Sequence, residues 1–221
     1  MVKPTKKQVE AGQAVYTKKN LSVYDLFVLG ISNRYIWKCS STRIEEHYDR
    51  YISSNHLDVG VGTGYFLARC RFPSASPRIA LMDLNQNALE YVSMRIARYN
   101  PETYRQNILE PISKDIQQFD SVGINYLLHC LPGSLLEKGV VFDRLKPLMK
   151  PSGVIFGSTI LQGGVTRNWA AKQLMNFYNK KEIFSNATDD LENLKLVLEQ
   201  RLNNISIEVI GCVALFSGNY Q

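Results

Sequence analysis

The chain reads as an α/β protein, a doubly wound and mostly parallel β-sheet with helices on both faces. Short apolar and β-branched runs alternate with segments of helical periodicity along most of its length, the order such a sheet requires. A glycine-rich turn follows the first of these runs directly and leads into a helix-like segment, as in a strand–turn–helix unit. With 221 residues, 45% of them hydrophobic, one domain can build a full core, and a second large domain is not expected.

Taken in order, residues 1–55 read as helices rich in aromatics, among them Tyr16, Tyr24, Trp37 and Tyr48. The first strand is placed at 56–60 and the second at 78–83. A helix follows from Asn85 to Tyr99, in which Ala88, Leu89, Val92 and Ile96 recur at helical spacing. A short third strand is expected over Thr103–Leu109, closed by Pro111, and a fourth over 120–125. A helix over 134–149 carries Leu135, Val141, Leu145 and Leu148 to a stop at Lys150-Pro151, and strand 5 covers 153–160. Gly163–Thr188 forms an aromatic-rich insert before a long helix, Asp189–Asn203, whose acidic first turn suits the helix dipole. Ser206–Ile210 and Cys212–Ser217 close the chain as a hairpin about Gly211. The expected division is a helical extension at 1–55 and a core at 56–221, interrupted by a helical lid at 163–188.

Leu57-Asp58-Val59-Gly60-Val61-Gly62-Thr63-Gly64 is the most informative stretch. Glycines here allow positive φ and close approach of backbone to a ligand, and the following helix offers free N–H groups. Nineteen residues past Gly64, the second strand ends in Asp83, an acid placed to accept both hydroxyl protons of a ribose. Nicotinamide cofactors share that acid. Their fingerprint, however, needs a third glycine where Tyr65 stands and leaves the position of Asp58 apolar. A Tyr-x-x-x-Lys pair, which a reductase on this sheet would need, is also absent from the sequence.

Asp58-x-Gly60-x-Gly62-x-Gly64 with Asp83 resembles the first motif and following acid of class I S-adenosylmethionine-dependent methyltransferases. Phe119–His129 resembles the family's fourth strand and its exit. Leu145–Gly157 is similar to its "LKPGG" turn and fifth strand, with Ser152 in place of the first glycine. Tyr24–Lys38 is similar to the N-terminal stretch of ubiquinone and menaquinone C-methyltransferases. The resemblance, spanning roughly residues 24–217, implies a Rossmann-like, mostly parallel seven-stranded sheet with an antiparallel C-terminal hairpin strand and helical lids. It implies S-adenosylmethionine as cofactor and S-adenosylhomocysteine as product, with transfer to an N, O or C nucleophile of a small molecule, a ring-containing or secondary metabolite among the candidates. A protein that binds this cofactor without transferring methyl stays open, since its motifs would look the same.

The resemblance also assigns site residues. Gly60, Gly62, Gly64 and Asp83 would contact the cofactor, Asp58 would organise the loop, and Leu84 would press on the adenine. Asn107 and Ile108 stand where the family often holds the adenine amino group, and Asn125 and Tyr126 at the pocket floor, Tyr126 as a candidate catalytic residue or else as packing. His129 is the histidine nearest the reaction centre, either a base for a hydroxyl or amine acceptor or a core ring bonded to backbone. Tyr16, Tyr24, Trp37 and Trp169 are the candidate aromatic walls of the acceptor site, or else plain packing. Because the sulfonium already activates the methyl group, no universal catalytic residue is required.

Net charge is +6, and residues 1–50 hold nine Lys/Arg against five Asp/Glu, a solvated run rather than a nucleic-acid surface. The Asn/Asp-Pro-Pro-Tyr/Phe of nucleic-acid amino-methyltransferases is replaced by Asn125-Tyr126-Leu127-Leu128. The four cysteines form no C-x-x-C pair and stand in apolar contexts, so buried free thiols in a reducing cytoplasm are expected, with no metal site. No apolar run reaches membrane-spanning length. Oligomeric state is not legible.

Overall fold

The computed structural model describes residues 25–113 and 115–220; the candidate wall residues Tyr16 and Tyr24 lie outside them. A π-helical segment, Asp25–Ile36, leads into helix α1 (Ser41–Tyr51). Then come β1 (Asn55–Val59), α2 (Tyr65–Arg69), β2 (Arg78–Asp83), α3 (Gln86–Arg95), β3 (Glu102–Arg105) and β4 (Phe119–Asn125). The second half comprises α4 (Leu135–Lys138), α5 (Val140–Leu145), β5 (Met149–Ile160), α6 (Trp169–Lys180), α7 (Leu191–Glu199), β6 (Leu202–Ile210) and β7 (Val213–Tyr220).

The sheet has seven strands in the order β3-β2-β1-β4-β5-β7-β6. β1 pairs in parallel with β2 and with β4, β2 with β3, and β4 with β5, while β7 is antiparallel to both β5 and β6. The doubly wound expectation therefore holds. Strand alternation feeds two cores. Ile79 and Leu81 of β2 face one side, with Trp37, Tyr48 and Val92, and Ala80 and Met82 face the other, with Phe142, Leu145 and Leu198. β1 differs: Leu57 and Val59 join the second core, but its opposite face carries the buried His56 and Asp58. Ser121 Oγ meets His56 Nδ1 at 2.8 Å, and burial pushes this imidazole down to about 3, so it is neutral.

Element boundaries depart from the sequence expectation most at β3, at the helix before β5, at β5 itself and at the long helix; the helix expected to Tyr99 also ends at Arg95, and the last two strands run Leu202–Ile210 and Val213–Tyr220. β3 stops at Arg105: Gln106 N–H makes one further inter-strand bond to Asp83 O at 3.1 Å, and the chain then turns, with Glu110 N–H on Asn107 O at 2.9 Å and Leu109 N–H on the Asn107 side chain at 3.1 Å. The helix expected over 134–149 is broken. It starts with a Ser134/Glu137 capping box, is divided at Gly139, and ends in a 3₁₀ turn holding Pro147. β5 begins at Met149, and a register shift against β4 absorbs the Lys150-Pro151-Ser152-Gly153 turn. There Ser152 adopts φ +66°, the conformation for which glycine is the usual residue. The long helix ends at Glu199, since β6 already claims Leu202.

The segment between β5 and α7 is tied to the core through charge. Lys138 Nζ donates to Asp189 Oδ2 at 2.7 Å and to Ser185 O at 2.6 Å. Lys138 is 1% exposed and Asp189 0%. Asn186 adds a 2.9 Å bond from Nδ2 to Ile160 O.

Candidate functional site

Two adjoining cavities open at the carboxyl ends of β1, β2, β4 and β5, where the strand order reverses between β1 and β4, the usual ligand position in such sheets. The first is walled by Gly60, Gly62, Asp83, Leu84, Gln106–Leu109 and Leu131. The second is walled by the same glycine loop together with Trp37, Phe66, Asn125, His129, Tyr178 and Phe184. Tyr126 borders both.

The loop between them is glycine-specific. Gly60, Gly62 and Gly64 have φ of +72°, +52° and +64°. A Cβ at Gly60 would sit 2.7 Å from Leu127 Cδ1, and one at Gly64 would sit 2.6 Å from Val92 Cγ1. Gly60 N–H anchors the turn on Met82 O at 2.8 Å, beside Asp83. Asp83 Oδ1 accepts Asn85 N–H at 2.8 Å. Burial pushes the Asp83 carboxyl up to about 6, opposed by the N–H groups of Asn85, Val61, Gly62 and Leu84, which favour its charged form. Asp58 lies beneath the loop, 6% exposed, and borders neither cavity. Burial pushes its carboxyl up to about 7; the nearby Tyr48 phenol works against that rise, although its hydroxyl makes no hydrogen bond of good geometry, and the Asp83 charge adds to it.

On the far wall, Ser158 Oγ donates to Asn125 Oδ1 at 3.0 Å, which leaves the buried Asn125 Nδ2 without a partner among the described residues at the cavity edge. An orphan buried donor beside a cavity is the position a ligand oxygen satisfies. Tyr126 adopts φ +54°, outside the range bulky residues favour, and its hydroxyl donates to Asn33 Oδ1 at 2.9 Å. His129 is 3% exposed on a 3₁₀ turn, Leu128–Cys130, and its Nδ1 accepts Ile160 N–H at 3.3 Å. This is a backbone bond of the kind the core-ring reading expects, made by a ring that also borders the second cavity.

The structure thus gathers Gly60, Gly62, Gly64, Asp83, Leu84, Asn107, Ile108, Asn125, Tyr126, His129 and Trp37 around the cavities. Trp169 is a correction: it is 76% exposed and borders neither cavity. α6 turns Ala171 and Met175 inward and leaves Trp169 and Phe177 on the solvent side. The Asn107 side chain is also occupied, its oxygen by Leu109 N–H and its Nδ2 by Glu110 Oε1 at 3.1 Å. Gln106 beside it and the supporting residues Asn33 and Ser158 were not foreseen. Such partners come from other strands and helices and leave no local sequence mark.

A strand-ended carboxylate, a positive-φ glycine loop and a second cavity beside it define an α/β protein that presents a nucleotide-type cofactor to another small molecule. A methyltransferase-domain family matches residues 57–155. The demethylluteothin O-methyltransferase of Streptomyces thioluteus is 40% identical over 95% of this chain and 91% of its own. The N-methyltransferase vrtF of Penicillium aethiopicum is 35% identical over 81% of this chain and 76% of its own. The chain belongs to the class I S-adenosylmethionine-dependent methyltransferases that act on small molecules. In fold it is similar to DhpI, solved with S-adenosylhomocysteine, at a TM-score of 0.69 and 14% identity, each chain covered to 98%. These two relatives are named as an O- and an N-methyltransferase, and the likeness of Tyr24–Lys38 to quinone C-methyltransferases finds no support in them. No described helix is long and apolar enough to cross a membrane.

Proposed function

We propose that this enzyme methylates an oxygen of a planar, ring-bearing small molecule, seated in the second cavity against a cofactor held in the first. The carrying observation is the makeup of that second cavity: Trp37, Phe66, Tyr126, Tyr178 and Phe184 wall it, and the glycine loop is its floor. Stacked and edge-on aromatics favour a flat apolar guest over a strongly hydrated one.

In this reading the Asp83 carboxylate takes the ribose hydroxyls, Leu84 and Ile108 sandwich the adenine, and backbone at Gln106–Asn107 reads its amino edge. Gly60, Gly62 and Gly64 admit the methionine portion, with Asp58 stiffening the loop from below and the Asn125 amide donating to a ligand oxygen. When bound, S-adenosylmethionine supplies a methyl group already electrophilic on its sulfonium. The chain's residues therefore bind, align and exclude water rather than activate a leaving group. The described part of residues 1–55, together with 163–188, acts as a lid over the acceptor. The free cysteines, three of them buried, support a reducing cytoplasm as the setting, and the aromatic cavity supports a metabolite, not nucleic acid, as the partner.

Calorimetric titration with S-adenosylmethionine, S-adenosylhomocysteine and nicotinamide dinucleotides tests the first cavity: micromolar binding of the first two alone is expected. Release of S-adenosylhomocysteine across a panel of ring hydroxyls, amines and alkanols tests the second. Turnover confined to amines would overturn the oxygen assignment.

A further inference from the structure

The protonation of His129 is fixed by its backbone neighbour. Ile160 N–H approaches Nδ1 at 3.3 Å, and Thr159 Oγ1 lies 3.5 Å from the same atom. A backbone N–H can only donate, so Nδ1 must offer its lone pair, and a neutral ring then carries its hydrogen on Nε2. The ring is wedged edge-on between Tyr126 and Phe184, with centroids 5.5 Å and 4.6 Å away, so it cannot turn over without displacing both. It is also part of the wall of the second cavity.

We infer that His129 is a fixed hydrogen-bond donor in the acceptor cavity, its Nε2–H paired with an oxygen of an enol or phenol that binds as its anion. The inference rests on the second cavity being the acceptor's seat. Neither ring nitrogen has a lone pair to spare: Nδ1 uses its own on Ile160 N–H, and Nε2 is protonated. Protonating Nδ1 would bring two N–H groups nose to nose. The surroundings agree. Burial, and then the Lys138 ammonium paired with Asp189, push this imidazole down to about 3. Among the described residues, the other titratable groups near the ring are Tyr126, Cys130 and, behind Phe184, Tyr178. Burial raises the Cys130 thiol to about 12 and raises Tyr178 as well, so neither accepts a proton near neutrality.

In this reading the acceptor's hydroxyl proton is lost to water before binding. In the transfer itself, a lone pair of the acceptor oxygen forms the new O–CH3 bond while the S–CH3 bond breaks and its electron pair stays on sulfur. No proton moves in that step. The Nε2–H steadies the delocalised negative charge of the enolate or phenolate, a charge-assisted bond that a neutral alcohol cannot match.

The test has two arms. Imidazole 15N spectra of the full chain with S-adenosylhomocysteine, assigned by the loss of one ring in His129→Gln, should show Nε2 protonated and Nδ1 bare from pH 5 to 8.5. A proton on Nδ1, or titration within that range, overturns the inference, and this arm needs no turnover. In the second arm, wild type, His129→Gln and His129→Ala are assayed with 4-hydroxycoumarin, 2-hydroxy-1,4-naphthoquinone and 4-nitrophenol. The glutamine amide still donates, so its kcat/KM should stay within about threefold, while alanine loses roughly ten- to hundredfold. Equal losses in both variants, as a general base would give, overturn it. So does turnover limited to alkanols or amines. Failure to bind S-adenosylhomocysteine would instead strike the cofactor reading, leaving the tautomer measurement to stand or fall alone.

Discussion

Replacing Lys138 with methionine leaves the Asp189 carboxylate, 0% exposed, without its 2.7 Å counter-charge. Its Oδ1 already lacks a partner among the described residues, and none of them compensates. Losing one partner of a buried ion pair costs about 3–5 kcal/mol, because the remaining charge stays desolvated. The sign with pH follows from the survivor. Burial already holds Asp189 up at about 6 despite Lys138, and without the ammonium its carboxyl rises further. Near pH 5 the folded Lys138→Met protein then keeps Asp189 neutral at little cost, while at pH 9 it must bury a charge or bind a proton the unfolded chain does not hold. Asp189→Asn mirrors this, stranding a lysine whose pKa burial has lowered, and recovers as pH rises. Urea unfolding of both variants at pH 5, 7 and 9 reads these changes as shifts in midpoint at constant slope. Lys138→Met/Asp189→Leu should cost less than either single change. Single-variant losses under about 1 kcal/mol, or losses independent of pH, would refute the argument that this pair is a desolvated charge clip.

Asp83→Ala should weaken S-adenosylmethionine by about 1.5–3 kcal/mol, roughly ten- to hundredfold by calorimetry, with unfolding little changed; unchanged affinity would remove Asp83 from the site. Asp58 gives the apo-protein a pH signature. Its folded pKa of about 7 lies above the ordinary carboxylate value, so its contribution is full below about pH 4 and lost as pH rises to about 7. Asp58→Asn should therefore match wild type in melting temperature near pH 4 and exceed it near pH 8. Gly60→Ala should abolish cofactor binding, and Leu127→Ala in that background should restore it only in part, because it relieves the 2.7 Å contact but not the φ of +72°. Trp169→Ala should leave turnover unchanged and stability within about 0.5 kcal/mol.

The parts of the fold legible in the sequence are those whose cause is local. Arg78–Asp83 is a run of apolar residues bounded by polar ones, and β2 occupies it from end to end. The glycine loop announces itself because positive φ restricts residue type, and Asp83 because a carboxylate at a strand end has few structural uses. What could not be read depends on distant partners. The Lys138–Asp189 clip joins positions 51 apart, and Asn125 is oriented by Ser158, 33 residues on. Trp169 shows the limit of composition: an aromatic in a lid segment belongs to the pocket only if the helix phase points it there, and Ala171 and Met175 hold that phase instead. At His129 the sequence offered base or core ring, and the backbone N–H that bonds its Nδ1 comes from Ile160, at the end of β5.

Tyr126 is a party wall. Its ring borders both cavities, and its hydroxyl reaches Asn33 in the N-terminal helical segment. A guest on one side that shifts this ring alters the room next door, and the latch on Asn33 with it. With the two molecules seated as proposed, whatever the first guest does to that wall changes the affinity of the second, and by the same factor in reverse, across a residue set at a backbone angle of +54° that side chains seldom hold.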